Sequence, residues 1–199
     1  LGLTSMIGVI FDWDGVVIDS HDQHERAWFM LADELGKPFT SELFDASFGM
    51  RNETVLPDLL KWTEPDDHER IRELGDRKEE LYRGVLRETG IEPLPGVREL
   101  LSELAENSVP ACVGSSTSRL NIDTIMEVTG LGPFFTDIAA AEDVSRGKPE
   151  PDVFLTAAKK IDRQPESCIV LEDAHVGIEA ARRAGMKVIG VATTHPIDS

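Results

Sequence analysis

Cysteine is scarce in this chain of 199 residues, tyrosine occurs once, and Lys plus Arg (20) are heavily outnumbered by Asp plus Glu (37). Each shortage excludes something. The two cysteines, Cys112 and Cys168, each lie in a short apolar stretch that reads as a strand. They are expected to be a reduced core pair, which points to a reducing compartment and a cytoplasmic location. A formal net charge of −17 argues against nucleic acid or an anionic membrane as partner, since both need a basic surface. A phosphorylated small molecule is still compatible with it, because a metal and a few cations can overrule the global sign locally. No apolar run approaches the ~20 residues of a membrane span. Leu1 to Ser5 lack the basic region and long apolar segment of a secretory signal, so the expectation is a start at Met6 behind a few extra residues. No tract is of low complexity. A soluble globular chain follows, built as one domain or as one domain with a sizeable insertion.

What is present begins with Ile7-Gly8-Val9-Ile10-Phe11-Asp12-Trp13-Asp14-Gly15-Val16-Val17. The apolar, largely β-branched run reads as a buried strand. Two carboxylates follow at i and i+2, a spacing that puts Asp12 and Asp14 on the same side of the chain. Such a pair is costly to bury unless a cation sits on it or the two pKa values are driven apart. Two readings stay open at this point. One is Mg²⁺-assisted phosphoryl transfer through a carboxylate nucleophile; the other is a polar β-turn. Trp13, between the acids, is expected to point away from them.

Downstream, Ser20 is a candidate helix N-cap. Ala27, Trp28, Leu31, Ala32 and Leu35 recur at helical steps over 21–35. Weaker helical periodicity runs through 41–47, 53–62 and 66–88, with no convincing strand between Asp19 and Pro93. Residues 20–90 therefore read as a helical cap inserted after the first strand, with 1–19 and 91–199 forming the core. From Pro93-Leu94-Pro95-Gly96 onward, elements alternate. Strands are predicted at 109–113, 137–141, 167–171 and 187–191, and helices at 97–107, 118–129, 151–161 and 174–184. That alternation implies an α/β fold, a Rossmann-like parallel sheet with helices on both faces. Its ligands belong at the carboxyl ends of the strands.

Three further stretches fall at such edges. Gly114-Ser115-Ser116-Thr117-Ser118 opens a helix and is either an anion clamp or a plain cap. Arg146-Gly147-Lys148-Pro149-Glu150-Pro151 holds a lysine in a loop stiffened by two prolines, where it binds an anion, balances carboxylates or is merely solvated. Glu172-Asp173 ends a strand and could complete an oxygen-ligand set or cap the next helix. Their joint occurrence favours the chemical reading of each.

In this order and spacing, Asp12-x-Asp14-Gly15, Ser115, Lys148 and Glu172-Asp173 resemble the four motifs of the haloacid dehalogenase (HAD) superfamily over nearly the whole chain. The Gly-Lys-Pro-x-Pro and Glu-Asp-x-x-x-Gly-Ile-x-Ala-Ala forms (Gly147 to Pro151, Glu172 to Ala181) make the resemblance specific rather than generic. The resemblance implies that Asp12 attacks phosphorus, and that Asp14 protonates the leaving oxygen and then deprotonates the incoming nucleophile. It implies Mg²⁺ on Asp12, the Asp14 carbonyl and Asp173, with Glu172 acting through water. Ser115 and Lys148 would bind the phosphoryl oxygens, with Ser116 and Thr117 beside them on the substrate. Family dehalogenases lack the acid corresponding to Asp14, so phosphotransfer is expected here.

Within the superfamily the chain resembles the beta-phosphoglucomutase-like branch. There the residues matching His24, Arg51 and Lys78 help gate the acid/base and bind the distal group of a sugar phosphate. His24 and Trp28 share a helix face, Gly49-Met50-Arg51 forms a loop, and Arg77-Lys78 precedes Tyr82. His24 reads otherwise as a surface histidine, Trp28 as core, and Arg51 and Lys78 as solvated charges. A phosphatase of a small phosphorylated metabolite is the first expectation and a phosphosugar mutase the second. A catalytically silent binding protein is disfavoured by the intact acids. The quaternary expectation is a monomer or weak homodimer. Relatives usually continue past the strand at 187–191, so either the sequence is truncated after Ser199 or the sheet ends in an early edge.

Overall fold

The structure, a computed structural model, describes residues 7–48 and 50–194. The expected start at Met6, Gly49 of the Gly49-Met50-Arg51 loop, and the ending His195 to Ser199 lie outside the described residues. Two compact units are present: residues 1–19 with 91–199, and Ser20–Gly90.

In the first unit five strands form one parallel sheet: β1 (Gly8–Phe11), β2 (Ala111–Gly114), β3 (Asp137–Ala139), β4 (Cys168–Glu172) and β5 (Lys187–Gly190). Their order is β3-β2-β1-β4-β5. β1 pairs with β2 and with β4, Ile10 facing Cys112 on one side and Val170 on the other. All four β1 residues are buried, as a strand with a neighbour on each edge and a helix layer on each face requires. β2 begins at Ala111 rather than at Val109. Pro110 has no N–H to give the ladder, although its carbonyl accepts from Val9 N at 3.0 Å.

The helices of this unit are α5 (Val97–Glu106), α6 (Arg119–Thr129), α7 (Asp152–Lys160) and α8 (His175–Arg183). α7 packs on β1, β2 and β3, α8 on β4 and β5, and α5 on β2. Ile10, Cys112, Phe154, Ala157, Cys168, Val170 and Ala181 meet in the core. Both thiols are free and buried there. β5 is one of the two edge strands among the described residues and stays largely exposed. Because β1 has β2 and β4 on opposite sides, the chain crosses over in both directions from it, and the crevice above β1 is where such sheets bind ligands.

The second unit is helical: α1 (His21–Leu35), α2 (Ser41–Ser47), α3 (Asn52–Thr54) and α4 (His68–Thr89). α1 packs along α4, burying Ala27, Trp28 and Leu31 with Leu74, Tyr82 and Leu86. Ser20 takes the N-cap position of α1 without making a capping bond. The helix expected over 53–62 is instead α3 followed by a π-helical turn, Val55–Leu59. Pro57 explains the difference: it has no N–H for the carbonyl four residues back, and the turn widens around it. Among the described residues no helix is long and apolar enough to cross a membrane.

Candidate active site

Three strand ends and one loop of the first unit bring its chemistry together. Asp12 follows β1, and its N–H continues the ladder to the Leu171 carbonyl at 3.0 Å. Glu172 is the last residue of β4 and Asp173 the next. One carboxylate oxygen from each of Asp12, Glu172 and Asp173 lies within 4.8 Å of the others, and all three residues are buried. Lys148 joins them. Its ammonium donates to Asp12 Oδ1 and to Glu172 Oε1, both at 2.7 Å, with its side chain only 8% exposed. The Lys148–Pro149 peptide bond is cis.

Burial pushes the Asp12 carboxyl up; the Lys148 ammonium pulls it back and Glu172 pushes it up again, leaving it raised. For Lys148, burial acts to lower the pKa, but Asp12 and Glu172 together overcome it and the ammonium is held charged. Three carboxylates against one ammonium leave two negative charges over, in a pocket made of hard oxygen donors. That donor set and that surplus suit a small divalent cation such as Mg²⁺.

Two glycines make room for the acids. Gly15 has φ +80°, and a Cβ there would overlap the Asp173 carboxylate. A Cβ at Gly177, in the first turn of α8, would overlap the Glu172 carboxylate. Glu172 Oε2 also accepts the N–H of Ala174 at 2.6 Å, which fixes the turn into α8.

Asp14 is placed differently from Asp12. Its Oδ2 accepts from Thr117 Oγ1 at 2.7 Å, so the two acids of the Asp-x-Asp pair have separate partners. Ser115 is buried just past β2; its N–H donates to the Ala139 carbonyl and its Oγ accepts from Thr117 N. Ser116 is exposed. Ser118 occupies the N-cap position of α6 without capping it. The N–H of Arg119 goes instead to the Glu142 carboxylate at 3.0 and 3.3 Å. Trp13 is fully buried against Phe135.

In the second unit, His24 and Lys78 meet: Nδ1 and Nζ are 2.8 Å apart. Lys78 also donates to Glu79 Oε1, which accepts from Asn52 Nδ2 as well, each at 2.9 Å. His24 stacks on Tyr82, and the Lys78 ammonium lies over the rings of Trp28 and Tyr82. Lys78 is thus a buried cation, not a solvated charge, and Trp28 is core. Burial, together with the Lys78 charge, lowers the His24 pKa well below its ordinary value. Arg51 is exposed and takes the N-cap position of α3.

A family model for haloacid dehalogenase-like hydrolases matches residues 7–185. The chain belongs to that family. Among relatives of this hydrolase, the chloroplastic 5-amino-6-(5-phospho-D-ribitylamino)uracil phosphatase of Arabidopsis thaliana is 36% identical over 194 residues, covering 96% of this chain and 51% of the other. The chain thus spans about half the length of that relative. The beta-phosphoglucomutase of Bacillus subtilis (strain 168) is 32% identical over 200 residues, covering 96% of this chain and 86% of the other. The crystal structure of a family IA, variant 3 HAD hydrolase from Entamoeba histolytica HM-1:IMSS superposes with a TM-score of 0.84 at 27% identity, covering 96% of this chain and 86% of that one. Phosphatases of phosphorylated metabolites and a phosphosugar mutase are therefore its kin, as the beta-phosphoglucomutase-like resemblance implies.

Sequence reasoning passed over Thr193 and Thr194. Their hydroxyls donate to the Gly15 carbonyl and to Asp173 Oδ2 respectively. The available signal was a pair of hydroxyls just past a predicted strand end, the edge at which the other motifs lie.

Proposed function

We propose that this hydrolase is a Mg²⁺-dependent phosphatase of a small phosphorylated metabolite, a sugar phosphate by preference, working through an aspartyl-phosphate on Asp12. The observation that carries this reading is the Lys148 ammonium held between Asp12 and Glu172, beside an acid two residues on with a partner of its own.

Asp12 is the nucleophile. Lys148 keeps its carboxylate ionised and aimed, and with Ser115 takes the oxygens of the transferring phosphoryl group. Asp14 gives a proton to the leaving oxygen and afterwards removes one from the attacking water. Thr117 holds Asp14, and Ser116, exposed in the same loop, is assigned to the substrate. Asp12, Asp173 and the Asp14 carbonyl would hold Mg²⁺, with Glu172 acting through water. A bound ion would supply charge neutralisation between the attacking carboxylate and the phosphoryl oxygens. The unit Ser20–Gly90 is taken as the cap, its His24, Arg51 and Lys78 selecting the distal part of the substrate.

A second reading, a beta-phosphoglucomutase-type mutase, is favoured by the Bacillus relative and uses the same core residues. The two part at whether water or a sugar hydroxyl takes the phosphoryl group from Asp12. Incubating the protein with a panel of sugar phosphates and Mg²⁺, and following phosphate release alongside isomerisation of β-glucose 1-phosphate, separates them. Phosphate release lost in Asp12→Asn and in chelator supports the phosphatase. Isomerisation without release supports the mutase, and neither activity on any substrate overturns both.

A further inference from the structure

The segment after β5 returns to the site on its own hydrogen bonds. Val191 N donates to the Glu172 carbonyl at 2.8 Å, one step beyond the β4–β5 pairing. The next residues turn toward the ends of β1 and β4, where Thr193 Oγ1 donates to the Gly15 carbonyl and Thr194 Oγ1 to Asp173 Oδ2. Gly15 sees the same convergence from the other side: a Cβ there would overlap the Asp173 carboxylate and stand 3.1 Å from Thr194 Oγ1. Loops from three strands thus close on one carboxylate.

We propose that Thr194 is a positioning residue for the divalent-cation site, fixing the Asp173 carboxylate by donating to Oδ2, with Thr193 tying its segment to the Asp-x-Asp-Gly turn. The inference rests on the Mg²⁺ reading above. The torsion that sets an aspartate's carboxylate plane is broad and soft. An acid beside other carboxylates has every electrostatic reason to rotate away from them. A hydroxyl donor on one oxygen removes that freedom and presents the group already oriented for a cation. Outer partners of this kind typically change metal affinity by about 10–100-fold. Gly15 completes the arrangement, since any side chain there would occupy the space into which Asp173 is held.

The test is calorimetric titration of MgCl₂ into the substrate-free protein. Thr194→Val keeps the shape and removes the donor, and is expected to weaken Mg²⁺ binding by about tenfold or more. Thr194→Ser restores the donor and should lie within about threefold of the wild type, on the same footing. At saturating Mg²⁺ the turnover of Thr194→Val should recover most of its loss, a split that general damage to the fold would not produce. Wild-type affinity in a folded Thr194→Val protein overturns the inference. Methyl-labelled threonine in the wild type reads the same contact without any variant: the Thr194 resonance must move on adding Mg²⁺, and an unmoved one overturns the inference even if Thr194→Val does not fold. A wild type that binds no Mg²⁺ at all defeats the metal reading itself, an outcome distinct from normal binding in the variant.

Discussion

Replacing Lys148 with methionine tests the electrostatics of the site most directly. Met keeps the unbranched stem and most of the volume, so packing changes little, while the charge is lost. What remains is a pair of carboxylates whose side chains are 12% (Asp12) and 1% (Glu172) exposed, each deprived of a 2.7 Å ion pair. Removing one partner of a buried ion pair costs about 3–5 kcal/mol, because the remaining charge is left uncompensated. Here one ammonium serves two acids. The loss of its contact over the Phe154 ring, 4.9 Å away, adds in the same direction, whereas relief of the lysine's own burial cost offsets part of it. A net loss of about 4 kcal/mol, divided by an m-value of ~2.5 kcal/mol/M, lowers the urea midpoint by ~1.6 M. The measurement is urea unfolding followed by circular dichroism, in EDTA and again in excess Mg²⁺. Because a divalent ion takes over part of the missing positive charge, the variant should bind Mg²⁺ more tightly than the wild type, and the deficit should shrink in Mg²⁺ by about 1.4 kcal/mol for each tenfold difference in affinity. An unchanged midpoint in EDTA would show that Lys148 is not what holds the acidic cluster together.

Three other outcomes follow from the same geometry. Gly177→Ala places a methyl group on the Glu172 carboxylate, so either α8 or Glu172 must shift. The expected loss is about 1–3 kcal/mol with a fall in kcat, and a thermal melt identical to the wild type contradicts it. His24 has its pKa depressed from 6.5 by burial first and then by Lys78, with Glu79 opposing and His21 adding. A base whose pKa falls on folding contributes its stability in full above the unfolded value and loses it as pH drops below that. The Tm of the wild type should therefore fall more steeply between pH 7 and pH 5 than that of His24→Gln, and parallel curves would refute this. Burial pushes the Cys112 thiol up to about 12 and raises Cys168 as well. A thiol reagent at pH 8 should label neither in the native protein and both in denaturant.

Much of the fold was legible because its determinants are local. The β-branched run before Asp12, the proline-glycine break at 93–96 and the three- and four-residue steps of α1 and α4 each act within a few residues. The observed elements follow them to within a residue or two. The exceptions are local too, at the two prolines. Pro110 moved the start of β2, and Pro57 turned the expected helix over 53–62 into a short helix and a π turn. The acids, Ser115 and Lys148 were found by type and by position at strand ends. Which oxygen each would face was not readable, because that depends on partners 24 to 136 residues distant, as in the Lys148 pairs.

Glu142 shows what such a distant partner changes. Serines and free N–H groups ahead of a helix suggest an anion clamp, and α6 has both in its sequence. In the folded chain the Arg119 N–H at the head of α6 is taken by the Glu142 carboxylate, 23 residues further on. A fixed carboxylate at a helix N-terminus takes up a donor and the dipole that a phosphate would use, and it repels a second anion. On the proposed function, the phosphoryl group is met earlier in the loop, by the Ser115 hydroxyl just past β2 and by Lys148, whose ammonium already balances Asp12 and Glu172. The amino-terminal end of α6 serves to set the loop. The loop, rather than the helix, presents the hydroxyls, with Thr117 reaching across to Asp14.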